Sequence, residues 1–328
     1  MNEVDENTID VLNLRSIILD VARHGYAELF ILKKTYSKFA EKSREVFFAN
    51  LDGEVVDLYR DILIQSVEKL TEDSIIIDFF DEKPCEEYIS VINQDDHGSI
   101  PILVSVIDKI LGREQNCNSF TVFNDKTLNQ LHSYAVKFNT ASNGEVIYFR
   151  KYGSGYKIDK TIATLVFNNG KFDKVKGDVF KCDRGVDGIF YQNSEKLWMI
   201  VFNDLNFEDI FSFYEIYLEQ SRIAFDTLSE SGVVQIEPNL FNEIQDKNRY
   251  LKKIALLNKK NFFNSLDIQS FKTTRDKVKS LNFDVSEDSI IITSKEALKD
   301  FLDVCENKIL QDLNDDQRHY RVSKKEQV

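Results

Sequence analysis

Residues 207–231 read FEDIFSFYEIYLEQSRIAFDTLSES and contain the clearest helical pattern in the chain. Aromatic and aliphatic side chains recur there at three- and four-residue spacing, and acidic side chains fall on the opposite face. The apolar set is Phe207, Ile210, Phe211, Tyr214, Tyr217, Leu218, Phe225 and Leu228. Gly232 follows as a C-terminal stop. The stretch therefore predicts one long amphipathic helix whose aromatic face packs into a core.

Strand-like runs separated by turn residues precede this helix. Glu145–Tyr152, Gly188–Gln192 and Leu197–Asn203 are rich in β-branched and aromatic residues. Asn169-Gly170 lies between two further runs and is a strong hairpin signal. Together these runs predict an antiparallel β meander.

Helical patterns follow residues 207–231, at 247–258, 267–280 and 295–311. The N-terminal third mixes strand-like runs such as Ala27–Lys33 with helical patterns near 54–70 and 125–138. The predicted fold class is α+β: an N-terminal mixed α/β region, then the meander, then a C-terminal helical run. The predicted domains are an acidic region over residues 1–138 and an α+β domain over 139–328.

The distribution of charge is more informative than the total of −13. Residues 1–110 hold 23 acidic and 11 basic side chains, a net charge of −12, and residues 185–246 hold 12 against 2, a net charge of −10. Residues 247–279 instead hold ten Lys and Arg against Asp267 and Asp276, a net charge of +8. The pI near 4.9 argues against general adhesion to nucleic acid, but a focused basic surface can persist in an acidic protein.

The basic segment predicts two adjacent helices with cationic outer faces. Tyr250, Leu251, Ile254 and Leu257 form an apolar stripe, and the cations fall elsewhere on the helix. Such faces can follow DNA phosphates, whose neutralisation releases counterions. The alternative is an ordinary solvated face, or an electrostatic match for the acidic helix. The predicted DNA-binding residues are Lys247, Arg249, Lys252, Lys253, Lys259, Lys260, Lys272, Arg275 and Lys279.

A second possible DNA contact lies at Arg150, Lys151 and Lys157, where Phe149 and Tyr152 interleave with the cations. Aromatic rings beside cations can stack exposed bases. The competing interpretation is simple strand alternation, which places the aromatics in the core and the cations in water.

Catalytic patterns find little support in the sequence. Asp187 before one strand and Glu195-Lys196 before the next approach a D…E-x-K nuclease arrangement, but Leu197 occupies the position that the lysine needs. A metal-dependent nuclease remains the alternative function, beside a protein-interaction adaptor with no nucleic-acid contact. The four cysteines form no C-x-x-C pair. We expect no catalytic residue, no metal site and no cofactor.

The order of several motifs resembles the KwaB-like family over roughly residues 140–328. These are residues 185–189 (GVDGI), 201–203 (VFN), 206–211 (NFEDIF), 248–254 (NRYLKKI) and 320–325 (YRVSKK). The resemblance implies a non-enzymatic subunit of the Kiwa anti-phage defence system that binds DNA without sequence preference and blocks phage replication and transcription. It also implies a homodimer and a small membrane-spanning partner of the KwaA type. No apolar run approaches the length of a membrane helix, so we expect a cytoplasmic chain that its partner recruits to the inner face of the membrane.

Overall fold

The structure, a computed structural model, describes most of the chain in two compact units. Met1–Phe79 with Tyr88–Phe211 form the first unit, and Phe80–Glu87 with Ser212–Val328 form the second. The described residues are 11–34, 44–49, 51, 53–81, 87–92, 94–113, 118–119, 131–140, 144–152, 165–168, 171–174, 185–192, 197–307, 309–311 and 319–321.

The first unit is built on a nine-stranded sheet with the order β3-β4-β11-β10-β7-β6-β1-β2-β5. Its strands are β1 Tyr26–Lys34, β2 Arg44–Ala49, β3 Ile75–Asp78, β4 Tyr88–Ile92, β5 Asn118–Ser119, β6 Leu131–Thr140, β7 Gly144–Lys151, β10 Gly188–Gln192 and β11 Leu197–Val201. Strands β6, β7, β10 and β11 are antiparallel neighbours. The predicted meander is therefore confirmed. A separate hairpin, β8 Leu165–Asn168 with β9 Lys171–Lys174, flanks the predicted turn at residues 169–170.

Helices cover this sheet, which explains why its central strands are apolar on both faces. The helices are α1 Val11–His24, α2 Gly53–Val67, α3 Gln94–His97, α4 Pro101–Ile110 and α5 Asp204–Ile210. Tyr148 of β7 joins a core cluster with residues of α1 and α2. Its neighbour Phe149 points to the other face and meets Phe211 with ring centroids 5.1 Å apart. Consecutive side chains of a strand point to opposite faces, so both neighbours are buried.

One prediction fails in this unit because β6 is a central strand. The helix expected near residues 125–138 is wrong over the described residues 131–138, which form β6. Ser133, Tyr134, Ala135 and Val136 are buried in succession, a pattern that period alone does not distinguish from a buried helix. The predicted boundary between residues 138 and 139 lies inside β6, which pairs with β1 and β7. The first compact unit ends at Phe211 and the second resumes at Ser212.

The predicted single helix over residues 207–231 is two helices. Helix α5 ends at Ile210, and α6 runs over Phe213–Glu230. Ser212 between them has φ 54° and ψ 45°, a left-handed conformation that no α-helix continues through. The amphipathic pattern spans the break because the aromatic side chains on both sides, Phe211 and Phe213, are buried.

The second unit packs helices around a three-stranded sheet. Its helices are α6, α7 Leu240–Ile244, α8 Asn248–Lys259, a 3₁₀ turn at Phe262–Ser265, α9 Ile268–Lys277 and α10 Lys295–Cys305. The strands β12 Val234–Ile236, β13 Asp284–Val285 and β14 Ile290–Ile292 form the sheet, and β15 Ile309–Gln311 pairs with β16 His319–Arg321. Rings of Phe263 and Phe271 stack on Phe301, with centroids 6.4 and 5.3 Å away. The predicted helix over 295–311 is too long, because residues 309–311 form β15.

The α+β fold class is confirmed by the large, mostly antiparallel sheet and the C-terminal helices. Across the described ranges, no helix combines the length and the apolar character that a bilayer crossing demands.

Candidate nucleic-acid interface

The helix α8 buries one face and exposes cations on the rest. Tyr250, Leu251, Ile254 and Leu257 are all buried, which confirms the predicted stripe. The Ser221 hydroxyl of α6 donates to the Leu251 carbonyl at 2.9 Å and fixes the pair of helices. Ala255 is buried as well, and Arg249 and Lys259 lie at exposed positions of α8.

One predicted contact residue, Lys253, is held by carboxylates instead. Its Nζ lies 2.9 Å from Asp303 Oδ1 and 2.7 Å from Glu306 Oε2. Burial alone would lower the pKa of Lys253, but the hydrogen bonds to Glu306 and Asp303 outweigh it, and the pKa is raised. Asp303 is almost fully buried, with 5% of its side chain exposed, and also pairs with Lys299 at 3.3 Å. Lys253 is therefore ion-paired with Asp303 and Glu306 within the second unit.

Three more predicted residues pair inside the second unit. Lys260 Nζ lies 2.9 Å from Asp81, and Lys279 Nζ lies 3.6 Å from Asp276. The Arg275 guanidinium donates to the Phe283 carbonyl at 2.9 Å, with Asp284 3.6 Å away. Like Lys253, these three residues contact acidic side chains that the structure describes.

The other five predicted residues form the cationic helix surface: Lys247, Arg249, Lys252, Lys259 and Lys272. Lys247, Arg249 and Lys259 are exposed, and Lys252 and Lys272 are half-buried. The Arg249 guanidinium lies 5.0 Å from the Tyr250 ring centroid, and Lys259 Nζ lies 3.5 Å from that of Phe80. Aromatic contacts of this kind orient a cation without neutralising it.

In its described part, the second basic stretch forms ion pairs within the first unit. Arg150 Nη1 donates to Asp187 at 2.7 Å, and Lys151 Nζ lies 2.6 Å from Asp209. Phe149 is fully buried, as the strand-alternation interpretation requires. Lys157 lies outside the described residues.

Asp187, the aspartate of the nuclease alternative, is completely buried. One carboxylate oxygen accepts from Arg150 and from the Asn206 amide at 2.9 Å, and the other accepts from the Lys151 backbone N–H at 2.6 Å. Its backbone carbonyl accepts from Phe202 and Asn203 at the start of the turn into α5. These bonds commit Asp187 to joining β7, β11 and α5 rather than to holding a metal ion. Glu195 and Lys196 lie outside the described residues, and the described residues contain no group of three or more potential metal ligands.

A cluster that the sequence did not reveal lies where four strands of the sheet end. This sheet-end cluster consists of Lys34, Arg44, His132, Lys151 and Asp209. The Asp209 carboxylate lies 3.7 Å from Lys34 Nζ, 3.4 Å from His132 Nε2 and 2.6 Å from Lys151 Nζ. Buried Arg44 donates from Nε to the Ile210 carbonyl and from Nη2 to the Asp209 carbonyl, both at 2.9 Å. Arg44 thereby caps the C-terminal end of α5, where a cation is favourable.

The electrostatics of the sheet-end cluster follow from its geometry. The nearby His132 and Lys151 outweigh desolvation, so the pKa of Asp209 is held far below its ordinary value. Burial lowers the pKa of His132 despite that contact, so its ring is neutral near pH 7. The cluster has no local sequence motif, because its members are separated by up to about 175 positions in the chain. Strand pairing brings them together.

A family model described as "Kiwa protein KwaB-like" matches residues 128–313, more than half of the chain. The chain belongs to this family. Membership in the KwaB-like family assigns it to Kiwa anti-phage defence, as the motif order predicted. No curated protein and no solved structure matches the chain.

The KwaB-like segment runs across both compact units. It includes β6, β7 and Asp187 of the first unit, and α8 and α9 of the second. It also includes His132, Lys151 and Asp209 of the sheet-end cluster, whereas Lys34 and Arg44 precede it.

Proposed function

We propose that this KwaB-like protein binds duplex DNA without sequence preference and thereby blocks phage replication and transcription. Family membership supports the defence role. The observation that carries the binding mode is the outward exposure of Lys247, Arg249 and Lys259 on a helix whose apolar stripe is buried. Lys and Arg side chains on phosphates release condensed counterions, and that gain is independent of base sequence.

The net charge of −13 shapes how DNA approaches this protein. Acidic surfaces repel the phosphate backbone, so a local concentration of cations sets both the place and the orientation of binding. Ion pairs remove Lys253, Lys260, Arg275 and Lys279 from the predicted contact set. The contact set proposed here is the cationic helix surface, because Lys247, Arg249 and Lys259 are exposed there.

Charge reversal at exposed positions tests this proposal. The variant combines Lys247→Glu, Arg249→Glu and Lys259→Glu, and its affinity for two unrelated labelled duplexes is measured by fluorescence anisotropy. Each lost phosphate contact costs nearly one decade of affinity at 0.1 M salt, so we expect a loss of roughly 100-fold or more on both duplexes. Lys69→Glu changes an exposed lysine outside the basic segment and serves as the control. Equal affinities of the two variants would refute the proposed interface.

A protein-interaction adaptor with no nucleic-acid contact is the second candidate. The ion pairs of the basic segment favour it, because a neutralised face contributes less to phosphate binding. Wild-type protein that shows no saturable DNA binding at low salt would select this candidate over the first.

We further propose that the chain forms a homodimer and reaches the membrane through a small membrane-spanning partner of the KwaA type. This assembly follows from the family resemblance, and acidic stretches within residues 1–110 or 185–246 offer complementary charge to a basic cytoplasmic end of such a partner. Fractionation with and without co-expressed partner tests it, and light scattering tests the dimer. Membrane association without the partner, or a monomer in solution, would contradict the respective part.

A further inference from the structure

Two consecutive lysines lie at the C-terminal end of α8, and one short segment of the chain contacts both of them. Lys259 is the last residue of α8, and the Lys260 backbone N–H donates to the Leu256 carbonyl at 3.1 Å. The ring centroid of Phe80 lies 3.5 Å from Lys259 Nζ. The next residue, Asp81, has Oδ1 2.9 Å from Lys260 Nζ. An aromatic ring leaves a cation charged, whereas a carboxylate offsets its charge.

Phe80 fixes the position of this segment. Its side chain is only 8% exposed, and its ring centroid lies 6.5 Å from that of buried Phe213 in α6. Phe80–Glu87 belong to the second compact unit, although the chain on both sides of them belongs to the first. Because the adjacent residue is buried, Asp81 loses less conformational freedom on pairing with Lys260 than a residue of an unattached loop would.

The Asp81–Lys260 pair contributes little to the stability of the fold. The side chains are 50% exposed for Lys260 and 55% exposed for Asp81. Exposed ion pairs stabilise folded proteins only weakly, because water solvates both partners well. Another anion can therefore displace the carboxylate, and a DNA phosphate offers the ammonium group the same kind of charged oxygen.

We propose that Asp81 competes with DNA for Lys260 and thereby weakens DNA binding at the C-terminal end of α8. The inference rests on the DNA-binding function proposed above and adds a regulatory contact to the same surface. In the unbound protein Asp81 offsets the charge of Lys260 and repels phosphate. In the complex Lys260 leaves Asp81 and contacts a phosphate beside Lys259. A protein that binds DNA without sequence preference also meets the DNA of its own cell, and an internal competitor lowers that binding.

Asp81→Asn tests the competition, because it removes the charge and keeps the shape of the side chain. The affinity of the full-length protein for a labelled duplex is measured by fluorescence anisotropy over a series of salt concentrations. Each phosphate contact adds about −0.9 to the slope of log affinity against log salt, so the slope of Asp81→Asn should be steeper by up to about 0.9. Its affinity at about 0.1 M salt should rise by about 3- to 5-fold. This gain is smaller than that of a whole phosphate contact, because an exposed ion pair withholds the lysine only part of the time.

Asp226→Asn is the matched control, because it removes the same charge from an exposed position of α6. It should change the affinity by less than about 2-fold and leave the slope at the wild-type value, since salt screens distant charges. Equal affinities and equal slopes of Asp81→Asn and Asp226→Asn would overturn the proposal. Thermal unfolding establishes that each measured variant is folded.

Lys260→Gln shows whether Asp81 acts through Lys260. When Lys260 is already replaced by Gln, Asp81→Asn should increase the affinity by less than about 2-fold, because the ammonium group that it would release is absent. An equal gain from Asp81→Asn in both backgrounds would indicate a general effect of charge and would overturn the proposal.

The variant that combines Lys247→Glu, Arg249→Glu and Lys259→Glu keeps the two conclusions apart. Its loss of DNA affinity tests the function proposed above, whatever the result for Asp81. If that variant loses affinity and Asp81→Asn has no effect, only the competition is overturned. If that variant binds DNA as well as Lys69→Glu does, the interface is overturned and the competition with it.

Discussion

Replacing Lys253 should cost stability and leave DNA affinity intact. Lys253→Met keeps the apolar stem and removes the ammonium group that bonds Asp303 at 2.9 Å and Glu306 at 2.7 Å. Both carboxylates then lose a partner in a poorly solvated place, since their side chains are only 5% and 16% exposed. A buried acid without its counterion is costly because it loses water without a compensating interaction.

The magnitude follows from the two bonds and their surroundings. Each hydrogen bond to a charged group contributes about 1.5–3 kcal/mol, which bounds the loss at about 3–6 kcal/mol for the pair. Two features reduce it: Lys253 is 30% exposed, and Lys299 stays 3.3 Å from Asp303. We therefore expect a decrease of about 2–4 kcal/mol in the free energy of unfolding of the second unit.

Urea unfolding followed by circular dichroism measures this loss. The matched control is Lys295→Met, which removes an exposed pair with Glu243, 3.3 Å apart and with side chains 41% and 52% exposed. An exposed pair contributes about 0–1 kcal/mol. The reasoning is refuted if Lys253→Met costs no more than Lys295→Met, or if folded Lys253→Met loses as much DNA affinity as Arg249→Gln.

Three further predictions concern single groups of the fold. The folded-state pKa of Asp209 lies below its unfolded value, so its contribution to stability is complete above about pH 5 and is lost as the pH falls below about 4; acid titration of stability should be steeper for the wild type than for Asp209→Asn. Gly25→Ala should destabilise by about 1–3 kcal/mol, because a Cβ would lie 2.5 Å from the Val21 carbonyl oxygen. Gly53→Ala, with nothing within 4 Å, should be neutral or stabilising in the same unfolding assay. Burial raises the pKa of the Cys305 thiol, so a variant with the other three cysteines replaced by serine should react with a thiol reagent only after unfolding.

Sequence periodicity predicted the elements that have one buried face. The stripe of α8 falls where the pattern places it, because its spacing records a single direction of burial. The strands on either side of the predicted turn, β8 and β9, pair antiparallel, and residues 169–170 themselves lie outside the described residues.

Periodicity failed where burial is two-sided or the backbone is unusual. Strand β6 is apolar on both faces and resembled the end of a helix. The break between α5 and α6 depends on the left-handed backbone conformation of Ser212. Serine occurs in many backbone conformations, so its presence in the sequence did not indicate a break. Helix α1 was missed, although Leu14, Ile18 and Val21 have helical spacing and are buried.

The cationic helix surface and the sheet-end cluster also differ in how far their residues lie apart in the sequence. Local charge density found the cationic helix surface, since its members lie within one segment of the chain. It did not reveal that Lys253 pairs with Asp303, 50 residues away, or that Arg275 is held by Phe283 and Asp284. The sheet-end cluster depends on the strand order that brings β1, β2, β6 and β7 together.

The salt dependence of DNA affinity tests the central claim most directly. If the cationic helix surface binds phosphates, the logarithm of affinity falls linearly with the logarithm of salt concentration, with a slope of about −0.9 per phosphate contacted. Wild-type protein using Lys247, Arg249 and Lys259 should therefore have a slope steeper by about 2.7 than the triple charge-reversal variant. Lys69→Glu should retain the wild-type slope. Equal slopes for the wild type and the triple variant, or a wild-type affinity that does not change with salt, would contradict the account.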